Sequence, residues 1–161
     1  ALDIAIAALP AAGPGLRSLA LPSMDMAFVG HVEHHRRRRW TPAQLAAQEL
    51  ITFQRGSQPH VALLDLLHRA RVEPLRIHTV SSISAMSQLV EDGLGVATLP
   101  AAVLQRLSQR MPLKALQCEV GLAPLPTHLS WRVDPGSTAQ KTLVDSVLVQ
   151  LGIDPTLRKN R

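Results

Sequence analysis

The segment His31-Val-Glu-His-His35 contains the side-chain types that most often bind transition metals. On a β-strand, His31, Glu33 and His35 would lie on one face, where two imidazoles and a carboxylate could bind a zinc ion. Arg36 to Arg39 follow directly, and their charge would repel a cation. We favour the alternative of a polar strand end that runs into a solvated basic loop, with an anionic partner for the arginines left open.

Motifs for enzymatic catalysis are absent from the sequence. A nucleophile elbow requires Gly-x-Ser-x-Gly, whereas Ser57 stands in Arg-Gly-Ser-Gln without both flanking glycines in register. Neither a Walker loop nor a Gly-x-Gly-x-x-Gly fingerprint at a strand-to-helix turn occurs, and among the acidic residues only Glu91 and Asp92 are adjacent. We therefore expect no catalytic residues, no enzymatic activity and no cofactor.

Serines at two positions could instead bind a ligand, because each begins a predicted helix directly after a predicted strand. Ser57 follows the apolar run 50–53, and Ser81 and Ser82 follow the alternating stretch 76–80. In an open α/β sheet, ligands lie outside the carboxyl ends of the strands, near the N–H groups of helix N-termini. Such groups suit a small anion or polar molecule. Serines that serve only as helix caps are an equally good interpretation.

The helices that carry these serines are predicted from capping signals and apolar stripes. Thr41 and Gln44 form a Thr-x-x-Gln capping box around Pro42, which suits a first helical turn. Further helices are predicted after Ser57, Ser82 and Pro100, and from Ser137, where Gln140 would complete a second capping box. The strands are predicted at 2–9, once or twice within 16–32 with a break at 21–23, and at 50–53, 76–80, 96–99, 113–120 and 127–133.

The stretch SQLVEDGLGVATLP, residues 87–100, takes the chain from a helix directly into a strand. Gly93 is placed to adopt the left-handed conformation that ends a helix, and residues 96–99 are typical of a strand covered on both faces. Strands and helices that alternate with such short connections predict βαβ crossovers and a mostly parallel sheet.

Composition indicates a folded protein of 161 residues, with 46% hydrophobic and 18% charged residues. The net charge of +5 is concentrated in HHRRRRW and LRKNR, so a solvated edge explains it as well as a nucleic-acid surface does. Aromatic residues make up only 2%, which argues against binding to stacked bases. Cys118 is the only cysteine, so no internal disulfide can form, and no apolar stretch is long enough to span a bilayer.

Four pieces of the sequence together resemble the effector-binding domain of LysR-type transcriptional regulators. They are LDIAIAALP, TPAQLAAQELITF, the helix ending ARVEP, and SSISAMSQLVEDGLGVATLP. The last piece is the most specific, since family members carry a similar helix, Val-x-x-Gly-x-Gly and an apolar strand. The resemblance covers residues 2 to about 151. It implies a type 2 periplasmic-binding-protein-like α/β fold with two lobes and an effector cleft between them.

By the same resemblance, lobe I comprises residues 1–49 and 127–161, and lobe II comprises residues 50–126. The family's effector contacts then fall in three loops of this sequence. They are Ala7, Ala8 and Leu9 after the first strand, Thr52, Phe53, Ser57 and Gln58 at the crossing strand and its helix cap, and Val80, Ser81 and Ser82 after a further strand.

The resemblance also implies what the domain does: it senses a small polar or anionic metabolite in the cytoplasm and passes the signal to a DNA-binding domain. The family's helix-turn-helix and the first strand and helix of its effector domain have no counterpart here, so we expect an incomplete effector domain that reaches DNA only through another part of the protein. Family members form dimers or tetramers, without membrane contact. Two alternatives remain: a secreted solute-binding protein of the same fold and, less favoured, a metal-dependent enzyme at His31, His34 and His35.

Overall fold

The structure is a computed structural model that describes residues 4–133 and 138–156. In chain order its elements are β1 (Ile4–Ala7), β2 (Leu16–Met24), β3 (Met26–His31), α1 (Pro42–Ala46), β4 (Glu49–Thr52), α2 (Gln58–Arg69), β5 (Arg76–Thr79), α3 (Ile83–Glu91), β6 (Val96–Pro100), α4 (Ala101–Leu107), β7 (Leu113–Ala115), β8 (Leu125–Arg132) and α5 (Thr138–Gln150). Within the described ranges, none of the helices is both long and apolar enough to cross a membrane.

The chain divides into two compact units, one formed by Ala1–Ser23 with Pro126–Arg161 and the other by Met24–Leu125. The second unit therefore also contains β3 and α1, which the predicted boundary at residue 49 assigns to lobe I. The reason is strand pairing: β3 is hydrogen-bonded to β6 and β7, both of which lie in the second unit.

The first unit has a three-stranded sheet in the order β1-β8-β2, with β1 and β8 antiparallel. Its core is formed by Leu129 and Trp131 on β8 and by Val144 and Leu148 on α5. These residues alternate along the strand and recur at helical spacing along α5, so one face of the sheet is covered by the helix. The predicted cap of α5 at Ser137 lies outside the described residues.

The second unit has a five-stranded sheet in the order β5-β4-β6-β3-β7. Strand β4 is parallel to β5 and β6, whereas β3 is antiparallel to β6 and β7. The sheet is therefore mixed, and the prediction of a mostly parallel sheet was wrong. The crossover β6-α4-β7 leaves a space between its two parallel strands, and β3 fills that space in the opposite direction.

Both faces of this sheet are buried, because successive residues of its strands enter two separate clusters. Leu50 packs with α1 and α2 on one face, and its neighbour Ile51 packs with α3 and α4 on the other. All five residues of β6 are buried, which confirms the prediction of a strand covered on both faces.

Local helix signals are confirmed at two places. Thr41 Oγ1 accepts the N–H of Gln44 at 3.2 Å, and Gln44 Oε1 accepts the N–H of Thr41 at 3.1 Å, which is the predicted capping box. At the end of α3, Gly93 has a φ of +82° and donates to the Val90 carbonyl at 3.1 Å, while the residue after it donates to the Leu89 carbonyl at 3.0 Å. These paired bonds are a Schellman motif.

Two strands differ in length from the prediction. Strand β2 continues through the predicted break at 21–23 to Met24. The strand predicted at 113–120 ends at Ala115, and the chain beyond it keeps only a single bridge between Trp40 and Cys118.

Candidate functional site

The predicted contacts of the second unit meet at one edge of its sheet, where β4 and β5 end side by side. Thr52 and Thr79, the last residues of these parallel strands, are paired in register. The pairing continues by one bond beyond the strands, from the Val80 N–H to the Thr52 carbonyl at 2.8 Å. Phe53 and Val80 therefore leave the sheet as neighbours, and both pack on the cluster beneath α3 and α4. From this edge the chain enters α2 and α3.

Thr52 is fully buried, and its side chain is used within the sheet. Its Oγ1 lies 2.8 Å from Oγ1 of Thr98 on β6. One hydroxyl of the pair satisfies the other, which lets two polar groups sit in an apolar interior. The structure thus gives Thr52 a role in holding β4 to β6.

Ser57 occupies the cap position of α2, but its hydroxyl does not cap the helix. Its Oγ is shielded from solvent and has no hydrogen-bond partner. A cap hydroxyl normally accepts an N–H from the second or third helical residue. The second residue here is Pro59, which has no N–H. The ring of His60 turns back instead, and its Nδ1 accepts the N–H of Gly56 at 3.3 Å.

Ser82 begins α3 in the manner expected of a cap. Its Oγ accepts the N–H of Ala85, the third helical residue, at 3.3 Å. Ser81 and Ser82 are both exposed, and Gln58 at the start of α2 is half-buried. The sequence treats Ser57 and Ser82 as equivalent caps, whereas the structure separates them into an unpartnered hydroxyl and a bonded one.

The other three predicted contacts belong to the first unit. Ala7 is the last residue of β1, Ala8 is half-buried, and Leu9 is 64% exposed. The loop that follows them is held by two serines that sequence reasoning missed. Ser130 Oγ accepts the N–H of Ala11 at 3.0 Å and lies 2.8 Å from Ser18 Oγ, which donates to the Ala11 carbonyl.

The histidine segment does not have the geometry that a metal site on a strand requires. β3 ends at His31 and the chain turns, so that His35 Nδ1 accepts the His31 N–H at 3.0 Å and His31 Nδ1 accepts the Glu33 N–H at 3.1 Å. His34 stacks on His31 with 4.3 Å between ring centroids. No group of three potential ligands gathers around a metal position anywhere in the described ranges. The common strand face of His31, Glu33 and His35 that the alternative of a metal site requires is therefore not formed.

Burial disfavours the charged forms of two ionisable groups in the second unit, His35 and Cys118. Burial lowers the pKa of His35, which fits an imidazole whose Nδ1 must stay free to accept a hydrogen bond. Burial also raises the pKa of the Cys118 thiol to about 11, and its Sγ lies 3.4 Å from the Leu116 carbonyl. A thiol with this pKa is protonated at neutral pH and is a poor nucleophile.

A model of the LysR substrate binding domain matches residues 1–151 of the chain. The chain belongs to this family. As a LysR substrate-binding domain, it has a type 2 periplasmic-binding-protein-like fold and a ligand-sensing regulatory role. Domains of this family are regulatory parts of transcription regulators and are not enzymes.

Solved structures of LysR regulators share the fold. The regulatory domain of Synechocystis PCC6803 CcmR in complex with 2-PG has a TM-score of 0.71 at 18% identity, over 98% of this chain and 74% of that one. The BenM effector binding domain with its effector benzoate has a TM-score of 0.66 at 17% identity, over 94% and 71%. Full-length CbnR in complex with its target DNA has a TM-score of 0.68 at 20% identity, over 93% and 53%.

The chain thus spans nearly three quarters of these isolated domains and about half of full-length CbnR. A search of curated protein sequences found no match.

Proposed function

We propose that this LysR domain binds its effector at the edge where β4 and β5 end, with the hydroxyl of Ser57 as a direct contact. The observation that supports this proposal is the shielded, unpartnered Oγ at the start of α2. A buried hydroxyl without a partner costs about 1–3 kcal/mol, so such groups call for an explanation in a native protein. A bound ligand that bonds to Oγ would remove this cost.

The chemistry of this edge favours a small anionic or polar effector. The N–H groups of the first turn of α2 have no partners within the helix, and the helix dipole places partial positive charge there. Phe53 and Val80 supply apolar surface beside these donors. Benzoate, the effector in the BenM structure, likewise combines a carboxylate with an apolar ring.

We propose different roles for the remaining predicted contacts. Gln58 and Ser81 are included in the proposed site as polar groups at the starts of α2 and α3. Thr52 and Ser82 have hydroxyls that are already hydrogen-bonded, so their proposed role is to position the backbone around the effector. Ala7, Ala8 and Leu9 stay a prediction that rests on the family resemblance.

We further propose that effector binding shifts the equilibrium of a full-length cytoplasmic regulator, in which a separate domain reads the DNA sequence and homo-oligomers form. The structure of full-length CbnR with its target DNA supports the link between such a domain and DNA binding. The effector needs to favour one arrangement by only about 1–3 kcal/mol, the usual size of an allosteric coupling.

A thermal-shift screen of small carboxylates and other polar metabolites against this chain tests the proposed site. A ligand that binds only the folded state raises the melting temperature, and the rise grows with its concentration relative to Kd. We expect the hit to keep its shift with Ser84→Ala, an exposed position outside the proposed site, and to lose most of it with Ser57→Ala. An equal shift in wild type and Ser57→Ala would remove Ser57 from the site.

A further inference from the structure

The loop Arg36–Arg39 in the second unit has no part in the proposed effector site, and it carries most of the chain's excess charge. All four arginines are exposed. Together they bring a charge of +4 to a chain whose net charge is +5. The net charge of the other residues is therefore close to zero, although the tail LRKNR forms a second basic cluster.

Nearby carboxylates do little to neutralise this loop. Arg39 Nε lies 3.9 Å from Glu119 Oε1, an exposed pair that contributes little. Arg36 Nε donates to the uncharged Glu33 carbonyl at 2.9 Å, and Arg37 lies over the Trp40 ring. No ion pair joins Arg36, Arg37 or Arg38 to a carboxylate of the described residues.

The two ends of the loop are fixed in the protein interior. Trp40 is 3% exposed, donates its N–H to the Gln117 carbonyl at 2.8 Å and accepts the Glu119 N–H at 2.9 Å. At the other end, His35 is 4% exposed and its N–H donates to the His31 carbonyl at 3.0 Å. Because both ends are anchored, a partner would bind the loop without having to order it, which lowers the entropic cost of binding.

Guanidinium groups match phosphate oxygens in geometry as well as in charge. Four residues span at most roughly 13 Å, and a DNA duplex carries about eight phosphate charges along that length. The Trp40 ring is buried, so it is not free to stack on an unpaired base. The scarcity of aromatic residues therefore argues against single strands and against base stacking, but not against contact with phosphates.

We propose that Arg36–Arg39 bind the phosphate backbone of duplex DNA without reading its sequence. This contact would add to the sequence-specific one that we assign to a separate domain. It would increase the affinity of the regulator for DNA that it has already found, or for DNA that flanks the specific site.

The salt dependence of binding tests this proposal with the 161-residue chain and a fluorescent duplex of arbitrary sequence. Each phosphate contact contributes about 0.9 to the slope of log K against log salt concentration. The triple variant Arg36→Gln/Arg37→Gln/Arg38→Gln should therefore lose about 2.7 from the wild-type slope. The control is Arg55→Gln/Arg69→Gln/Arg71→Gln, which removes the same charge from exposed positions around α2 and should leave the slope close to that of wild type.

Three results would overturn the proposal: no binding of wild type at low salt, an equal loss of slope in both triple variants, or competition by polyglutamate as strong as that by unlabelled duplex. The last would mean a surface for acidic polymers in general. Because the arginine variants leave Ser57 intact, they should keep the effector-induced thermal shift, so this proposal and that of the effector site fail independently.

Discussion

Helices α2 and α3 begin alike in the sequence, each with a serine directly after a parallel strand, but they use that serine differently. At α3, Ser82 Oγ accepts the Ala85 N–H and is exposed. At α2, Ser57 Oγ is shielded and has no partner. Pro59 removes one of the two N–H groups that a cap hydroxyl can accept, and Ser57 Oγ makes no bond to the other, the N–H of His60.

A serine can therefore occupy the cap position of a helix without making the side-chain hydrogen bond that usually goes with it. The α3 serine makes its cap bond, whereas at the start of α2 the His60 ring accepts the Gly56 N–H and Ser57 Oγ stays without a partner. A buried hydroxyl that makes no hydrogen bond within the protein is therefore a candidate for a functional role, which we propose for Ser57.

The largest expected loss of stability comes from disturbing the pairing of β4 with β6 in the sheet from which both helices start. A Cβ at Gly95 would lie 1.9 Å from the Glu49 carbonyl oxygen, where β6 meets β4. Gly95→Ala should therefore lower the free energy of unfolding by more than about 3 kcal/mol, because backbone has to move. Urea unfolding measures this loss. Gly121→Ala is the control, since nothing lies within 4 Å of its added Cβ, and an equal loss there would contradict the steric explanation.

The next effect concerns Thr52, which ends the strand that leads to α2. Thr52→Val leaves the buried Thr98 hydroxyl without its partner, and we expect a loss of about 1–3 kcal/mol in the free energy of unfolding. The double variant Thr52→Val/Thr98→Val removes both hydroxyls and should be nearly as stable as wild type. A double-mutant cycle from urea unfolding measures their coupling. Additive losses would show that the two threonines act separately.

A smaller effect is expected at the start of α3. Ser82→Ala removes the bond to the Ala85 N–H and should cost about 1 kcal/mol of unfolding free energy. Ser84→Ala, an exposed change within the same first turn, should be neutral or slightly stabilising because alanine is the better helix former. If both variants lose the same stability, the cap bond is not the source of the effect.

Features encoded by neighbouring residues were predictable from the sequence. The capping box at Thr41 and the Schellman end at Gly93 each depend on a few adjacent positions, and both are present. The direction of β3 was not predictable, since it depends on β6 and β7, which lie far along the chain.

The turn after His31 was also not predictable, because it depends on a packing contact that strand periodicity does not encode. The turn packs His35 against Gly30, where an added Cβ would lie 2.8 Å from the imidazole Cγ. A single glycine thus lets the ring fold back under the strand end, and strand periodicity carries no sign of this contact. The Ser18–Ser130 pair joins positions 112 residues apart, so no local pattern marks it.

At the candidate site, the sequence located the edge and the two serines but not the difference between them. Pro59 was the available signal, because a serine followed two residues later by proline loses one of its capping donors. The His60 ring, whose Nδ1 accepts the Gly56 N–H, takes this place because of its rotamer, which no sequence pattern predicts.

The central claim is that the Ser57 hydroxyl makes no stabilising hydrogen bond in the ligand-free fold and is available to an effector. The most direct measurement is the free energy of unfolding of Ser57→Ala beside Ser82→Ala, by urea denaturation without added ligand. We predict that Ser57→Ala is at least as stable as wild type and gains up to about 1–3 kcal/mol, because the unpartnered buried hydroxyl is removed, whereas Ser82→Ala loses about 1 kcal/mol. A loss with Ser57→Ala as large as that with Ser82→Ala would show that Ser57 is an ordinary cap and would contradict the account.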